Sequence, residues 1–498
     1  MKKTKLRNGL LYTLMLITIL SIIILKPINN LDEIWNYNFA RNIANGLVPY
    51  KDFNMLQMPL LPIICGVILK ILLNELIVMR IIAAFMCAGV LYFSYKILNK
   101  LNVKKEVSVI CVFFLGWLLK DYFCIDYNFA TLFVTLIIIN IEISSYKKNA
   151  NFFYLNFKTS LLIGVLAGLT LGFKQTSGLL ICIATLGNKL LFVRNKNNFK
   201  VFLKDFLLRL IGILIPVILM LLYLFATNSI QDFINYTIKG ITSFSNSLSY
   251  KYLIKLNTIG ILSVLVPISI IYYWIKTIIM EKNKEQYILL VYGLGIFVIA
   301  FPISDNIHFL IGTEPFIILI QSEIYNLLYT LYKRFLSNTK IKFLVYFLMC
   351  FASSIVILGS IIFSVFNFIH YYNQKELLSD LSHYKYIPID KRLEEQINRI
   401  DKYILNEKKD IKILDATAAI YMIPINKYNK NYDMLLKGNL GKNGEKNIKE
   451  EIKDSRDIRY LVLQDRFNRN WQTPLDVIEY VKTNKNKIGE IEIFDIYE

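Results

Sequence analysis

Apolar stretches of roughly 20 residues recur along the first three quarters of this chain, and each is about the length a helix needs to cross a bilayer. They fall at about 10–28, 76–98, 106–119, 129–145, 159–173, 177–193, 206–227, 256–278, 286–303, 308–330 and 342–368. The 498 residues are 55% hydrophobic with a mean hydropathy of +0.45, and the pattern reads as an α-helical polytopic membrane protein. The first stretch follows a basic front (Lys2, Lys3, Lys5, Arg7), as a signal peptide does. Its apolar core is long and no small-residue cleavage site follows, so it reads as a retained anchor.

A net charge of +20 raises the question of nucleic acid, but the basic residues cluster in short loops between apolar stretches. That distribution is a topology signal and excludes a nucleic-acid partner. With the N-terminus inside, the inner loops hold Lys96, Lys100, Lys104 and Lys105, then Lys147, Lys148 and Lys158, then Arg194, Lys196, Lys200 and Lys204. Lys282 and Lys284 follow, and finally Lys333, Arg334, Lys340 and Lys342. Counting 59–73 as a span would turn these loops outward; it is short, begins with prolines and carries Lys70, so it is assigned to the outer interface. The expected architecture is about eleven transmembrane helices in the cell membrane, N-terminus cytoplasmic and C-terminus outside. The six cysteines show no metal-site or disulfide-framework spacing.

The tail differs in kind. From 371 to 498 the charge density is high, with strand-like runs at 411–416, 459–464 and 491–497 and a helical pattern at 392–404. This predicts a small extracytoplasmic α/β domain following a membrane module of residues 1–370. Neither region shows an internal repeat, which weighs against a transporter built from related halves.

On this topology the outer face collects ionisable residues. Asp32, Glu33 and Asp52 lie in the first outer loop; Lys120, Asp121 and Asp126 between the third and fourth spans; Lys174 between the fifth and sixth; Asp305 and His308 between the ninth and tenth. Arg80 begins the second span near the same face. Carboxylates at the mouth of an apolar helix are costly to keep near lipid and call for a reason. Any one of these residues reads equally well as a wet loop residue, and Arg80 as an interfacial snorkel.

The residues after the first span carry a resemblance. Asp32-Glu33, Ala44, Gly46, Pro49-Tyr50, Asp52 and Pro59 look like the first outer loop of the GT-C membrane glycosyltransferases, which include protein O-mannosyltransferases and aminoarabinose transferases. Arg80, the IDYN run at 125–128 and the PxxDxxH run at 302–308 are similar to later landmarks of bacterial members, and the likeness covers about 10–330. The resemblance implies a GT-C-like fold, a polyprenyl-phosphate-sugar donor and an extracytoplasmic glycan, lipid or protein acceptor. An acceptor hydroxyl must shed a proton as it attacks the anomeric carbon, so a carboxylate serves as general base. Asp32 is the candidate, with Glu33 as alternative base or positioning residue. The lipid phosphate leaving group needs cations, for which Arg80, Lys174 and His308 are candidates, Arg80 favoured for its bidentate fork. Asp52 and Asp126 are candidates for positioning substrate, with Asp121 competing for the latter role, and Asp305 for orienting His308 or binding sugar hydroxyls. Some members use a divalent cation; Asp32, Asp126 and His308 are suitable ligand types, and the metal is left unassigned.

Rival readings are a lipid-linked glycan transporter or flippase, a glycan polymerase, and a scaffold whose tail carries the function. A transporter predicts charges along the middle of the spans, whereas the sequence places ionisable residues near span ends. The glycines at 438, 441 and 444 lack the spacing of a phosphate loop and read as a polar turn. The aromatic-rich segment 231–252 reads as interfacial anchoring.

Overall fold

The computed structural model describes residues 2–28, 30–149, 151–153, 156–240, 248–335, 339–455 and 457–498. Part of the aromatic-rich outer segment, 241–247, lies outside the described residues, as do the side chains of Lys2, Lys3, Lys5 and Lys340. Helices α1 (Lys2–Ile23), α2 (Leu31–Ala44), α3 (Leu60–Ile71), α4 (Leu76–Lys100), α5 (Lys105–Leu119), α6 (Tyr127–Asn149), α7 (Phe157–Phe173), α8 (Gln175–Gly187) and α9 (Lys196–Ala226) come first. The chain continues through α10 (Ile230–Phe233), α11 (Thr258–Trp274), α12 (Lys284–Phe297), α13 (Asn306–Phe335) and α14 (Thr339–Asn373).

Seven of these segments are long and apolar enough to cross a membrane: Leu6–Ile23, Leu76–Lys100, Tyr127–Asn149, Lys196–Ala226, Thr258–Ile279, Asn306–Arg334 and Lys342–Asn373. The other four expected spans coincide with α5, α7, α8 and α12, which have 15, 17, 13 and 14 residues. At 1.5 Å per residue these reach only about 20–26 Å, short of a ~30 Å hydrocarbon core. Their ends have local causes. Lys174 is extended and separates α7 from α8, and a short 3-10 turn at Val298–Ala300 closes α12 before extended Phe301. The 59–73 stretch forms α3, too short to cross, with Leu61, Cys65 and Leu69 buried and Ile64, Val67 and Ile71 exposed.

The chain divides into two compact units. One comprises Met1–Ile23, Ala83–Leu219 and Ser247–Ile369. In it α7 and α8 fold back on each other because Gly178 lets α8 approach the backbone of Thr170 and Leu171, where any side chain would collide. Gly164 and Gly168, four apart on one face, bring α7 equally close to Arg209, Ile213 and Pro216 of α9, the small-residue contact that membrane helices use. The expectation that charges stay near span ends is corrected here: Glu142, Asp205, Arg209 and Glu314 are buried within α6, α9 and α13. Arg209 pairs with Glu142 (2.5 Å) and with Asp205 (3.1 Å), Lys189 pairs with Asp205 (2.7 Å), and Ser160, Asn188 and Tyr292 donate to the carboxylates. A narrow cleft opens beside this network, lined among others by Ser145, Asn151, Asn156 and Thr159.

The other unit comprises Ile24–Ile82, Met220–Asn246 and His370–Glu498. Its tail contains α15 (Lys391–Asn406), β1 (Asp410–Leu414), α16 (Ala418–Met422), α17 (Gly444–Asp454), β2 (Ile458–Leu463), α18 (Leu475–Asn484), β3 (Lys487–Ile491) and β4 (Phe494–Tyr497). The expected strands and the 392–404 helix are all present. The sheet runs β1-β2-β4-β3, with β1 parallel to β2 and the remaining pairs antiparallel. Leu414, Tyr432, Leu435, Ile448, Tyr460, Val462, Val477 and Val481 form its core. Gly438, Gly441 and Gly444 adopt positive φ in the turn before α17.

The expected boundary after residue 370 coincides with the start of this unit's last segment, but the unit also takes in 24–82 and 220–246. Trp35, Phe39, Tyr50, Phe53, Met55 and Met58 share one apolar cluster with Leu224, Phe233, Tyr236, Ala416 and Leu436. Trp35 Nε1 donates to the Ala416 carbonyl, and Arg41 donates to the carbonyls of Ile423 and Lys427. The tail therefore has a core of its own and shares a second apolar cluster with the segments 24–82 and 220–246.

Candidate functional site

The Asp32-Glu33 pair opens α2, where the Asn30 side chain caps the helix by accepting from Glu33 N–H. Two carboxylates in the first turn suit the positive end of the helix dipole. Neighbouring positions on a helix point in different directions, and the pair divides accordingly. Glu33 turns inward and meets Arg80 in a bidentate pair, Nε to Oε1 at 3.0 Å and Nη2 to Oε2 at 2.8 Å. Arg80 also donates to the carbonyls of Lys26 (2.6 Å) and Pro27 (3.4 Å), and it is 0% exposed. The fork that favoured Arg80 for a lipid phosphate is thus directed at a protein carboxylate and the chain entering α2. Asp32 is half-buried on the same turn.

Asp52, expected to position substrate, closes a turn. Its Oδ2 accepts from Val48 N–H at 2.7 Å while its own N–H donates to the Val48 carbonyl. Gly46 (φ 91°) leaves α2, and Tyr50 (φ 68°) sits at the tip with its buried hydroxyl donating to Gln57. The G-x-x-P-Y-x-D run is therefore a folded loop, pinned by the aromatic cluster around Tyr50.

The remaining candidates lie in the other unit, and four of them act on one another. Asp126 is buried immediately before α6 and caps it, Oδ1 accepting from the N–H groups of Asn128 (2.7 Å) and Phe129 (3.3 Å). Lys174, at the extended break between α7 and α8, hydrogen bonds Asn128 Oδ1 and lies 5.1 Å from the centre of the Tyr127 ring. Asp305 caps α13, and its Oδ1 holds His308 at two points: the backbone N–H at 2.9 Å and Nδ1 at 2.8 Å. Burial pushes the Asp126 carboxyl up, against the opposing pull of His308, Lys174 and the two backbone N–H groups. An imidazole tied through Nδ1 to a carboxylate presents Nε2 for chemistry. Asp121 is exposed and paired with Lys120, which leaves Asp126 as the acid of this group.

The structure thus brings Asp126, Lys174, Asp305 and His308 together and gives Glu33, Arg80 and Asp52 local structural partners. Sequence reasoning passed over Asn128, which links Lys174 to the α6 cap, although it stands inside the IDYN run. It also passed over Asn38, Arg41 and Asp433, buried together where α2 meets the tail. Arg41 and Asn38 lie on a helix buried from Glu33 to Asn42, and that run of buried polar residues, WNYNFARN, was the available signal. Among the described residues no group of three His, Cys, Asp or Glu side chains is placed to hold a metal ion, so no step is routed through one. No protein-family model matches the chain, and no curated protein matches it significantly.

Proposed function

We propose that this chain is a membrane glycosyltransferase of the GT-C kind, moving a sugar from a polyprenyl-phosphate donor to an extracytoplasmic glycan, lipid or protein acceptor. The observation that carries the reading is the group formed by Lys174, His308 and Asp305 around Asp126: two cation-forming side chains, one oriented by a carboxylate, beside a buried acid. The proposal carries with it the eleven-helix topology with a cytoplasmic N-terminus, in which the four shorter apolar helices count as spans although each is shorter than the hydrocarbon thickness. Three segments that the charge count assigns largely to the outer side, 24–82, 220–246 and 370–498, pack as one unit, which supports that topology.

The reaction is a single displacement with inversion. The acceptor oxygen attacks the anomeric carbon, its proton passes to a carboxylate, and the bond from carbon to phosphate oxygen breaks with its electron pair on the leaving phosphate. Lys174 and His308 answer that developing charge. Asp32 is the carboxylate proposed as base on the resemblance, while Glu33 pairs with Arg80 and Asp52 closes its own turn. A transporter gains one observation, the charges within α6 and α9. The carboxylates there are already held by Arg209, Lys189 and neighbouring hydroxyl and amide donors, which suits a structural tie better than a moving substrate.

The test compares cell-envelope glycans by mass spectrometry in a deletion strain carrying wild type, Asp32→Asn or Lys174→Met. The expected result is a sugar substituent that vanishes on deletion and returns only with wild type. Full restoration by Asp32→Asn would overturn the base assignment, and an unchanged profile on deletion would overturn the transferase reading.

A further inference from the structure

Glu314 lies inside α13 and Ser94 inside α4, and both are 0% exposed. An ionisable group within a membrane helix is a functional candidate by default, because few structural needs justify one there. Glu142 and Asp205, the other carboxylates buried in this unit's helices, each have a cation within ion-pair distance. Glu314 does not: among the described residues Ser94 is the one polar side chain acting on it. The mid-helix titratable groups on elements packed against α13 are engaged elsewhere. Glu142 of α6 holds Arg209, Tyr292 of α12 donates to Glu142, Tyr287 of α12 donates to the Asn188 carbonyl, and Tyr273 of α11 donates to the Leu319 carbonyl.

Counting protons decides the state of the carboxyl. Ser94 Oγ lies 2.6 Å from Glu314 Oε1 and 2.8 Å from the Val90 carbonyl oxygen, while among the described residues Oε2 of Glu314 has no hydrogen-bond partner. A hydroxyl has one proton to donate. If Glu314 were ionised, Ser94 would have to spend that proton on it, leaving Oγ and the Val90 oxygen in contact as two acceptors. The carboxylate would then sit in an apolar bundle with one hydrogen bond and no counter-ion, the costliest arrangement for a buried charge. If Glu314 is protonated, every proton finds a place. Glu314 Oε1–H donates to Ser94 Oγ, Ser94 O–H donates to the Val90 carbonyl, and both distances are normal for O–H···O.

We propose that Glu314 is an intramembrane proton-binding site, carried as a neutral carboxylic acid whose proton joins α13 to α4 through Ser94. The ligand is a proton, and its release opens the contact between the two helices. Nothing in the transfer chemistry requires this group, so the site is independent of the proposed reaction.

The experiment is infrared difference spectroscopy on the full chain reconstituted in lipid, wild type minus Glu314→Gln, at neutral pH. Glutamine keeps a donor for Ser94 without a titratable proton. The expected spectrum shows the carbonyl stretch of an undissociated carboxyl, shifted in D2O and absent from the variant, and raising the pH converts it to carboxylate. Ser94→Ala should move the band to higher frequency by removing the acceptor. A carboxylate stretch at neutral pH in the same subtraction would overturn the proposal, since it would mean an ionised group or one holding a metal cation. Should Glu314→Gln fail to fold, wild type minus Ser94→Ala decides alone: a displaced undissociated-carboxyl band supports the site and its absence refutes it.

Discussion

Removing Arg80 tests whether the buried pair with Glu33 is structure or catalysis. In Arg80→Met, Glu33 stays 2% exposed with its counter-charge gone, which costs about 3–5 kcal/mol for a broken buried pair. The carbonyls of Lys26 and Pro27 lose their donor as well, adding about 1 kcal/mol each because they are only partly buried. A total near 5–7 kcal/mol is comparable with the whole stability of a typical domain, so the single variant should be largely unfolded or retained in the cell. In Glu33→Leu/Arg80→Met both charges are gone and only the carbonyl losses remain, leaving a net cost of about 2 kcal/mol. The assay is chemical unfolding of the purified protein in detergent for wild type, both singles and the double, alongside complementation of the deletion strain. The expected outcome is that each single variant loses far more stability than the double, a strong favourable coupling in the cycle, with the double variant folded and active. The reasoning is refuted if Arg80→Met is as stable as wild type but inactive, or if the double variant folds and stays inactive. Either result would return Arg80 to the donor phosphate.

Two further outcomes follow from buried charges. Burial pushes Asp433 up to about 6, against the pull of Arg41 and the hydrogen bonds from Asn429 and Asn38. The folded form therefore binds a proton that the unfolded chain releases near pH ~4, so this contribution is present at pH ~4 and is lost as the pH rises through 6. That is about 3 kcal/mol by pH ~7, and Asp433→Asn should remove this slope from unfolding curves recorded between those pH values. In the membrane unit, Arg209→Met strands Glu142 and half of the Asp205 pairing, an expected loss of about 3–5 kcal/mol visible as a lower melting temperature in detergent. Glu142→Gln/Arg209→Met should recover most of it, and failure to recover would mean the network does more than hold α6 to α9.

What could be read from the sequence followed from periodicity and charge, the two signals that survive without a third dimension. Every apolar stretch became a helix, and the tail strands appeared where short β-branched runs predicted them. Helix length was less legible, because α8 stops at Gly187 and α12 at Phe297 before the apolar text of 177–193 and 286–303 runs out. The partition of the chain was legible only in part. Nothing local in Trp35, Tyr50 or Phe233 says that they share a core with Ala416 and Leu436, since such contacts span more than 180 residues of sequence. For the candidate site, motif runs and loop position nominated Asp126, Lys174, Asp305 and His308, which the fold places near one another. They could not tell that Glu33 and Arg80 face each other, because the pair is made by folding 47 positions apart.

The difference between those two groups gives a physical rule for weighing the outer-face acids and bases. A charged side chain buried against an opposite charge of the protein cannot answer a charge that develops on a substrate unless the fold yields first. Glu33, Arg80 and the Glu142–Arg209–Asp205 network meet that description, and their loss should appear in stability. A side chain held by oriented contacts and still part-exposed keeps access to a substrate, as His308 does beside Asp305 and Lys174 beside Asn128 and the Tyr127 ring. Loss of such a group should leave stability nearly unchanged and appear in turnover. Asp126 stands between the classes: its Oδ1 caps α6, its carboxyl is raised by burial, and His308 and Lys174 both act on it. The consequence is that Asp126→Asn should reach transfer through His308 and Lys174, weakening donor binding more than it destabilises the helix, because Asn remains a good cap.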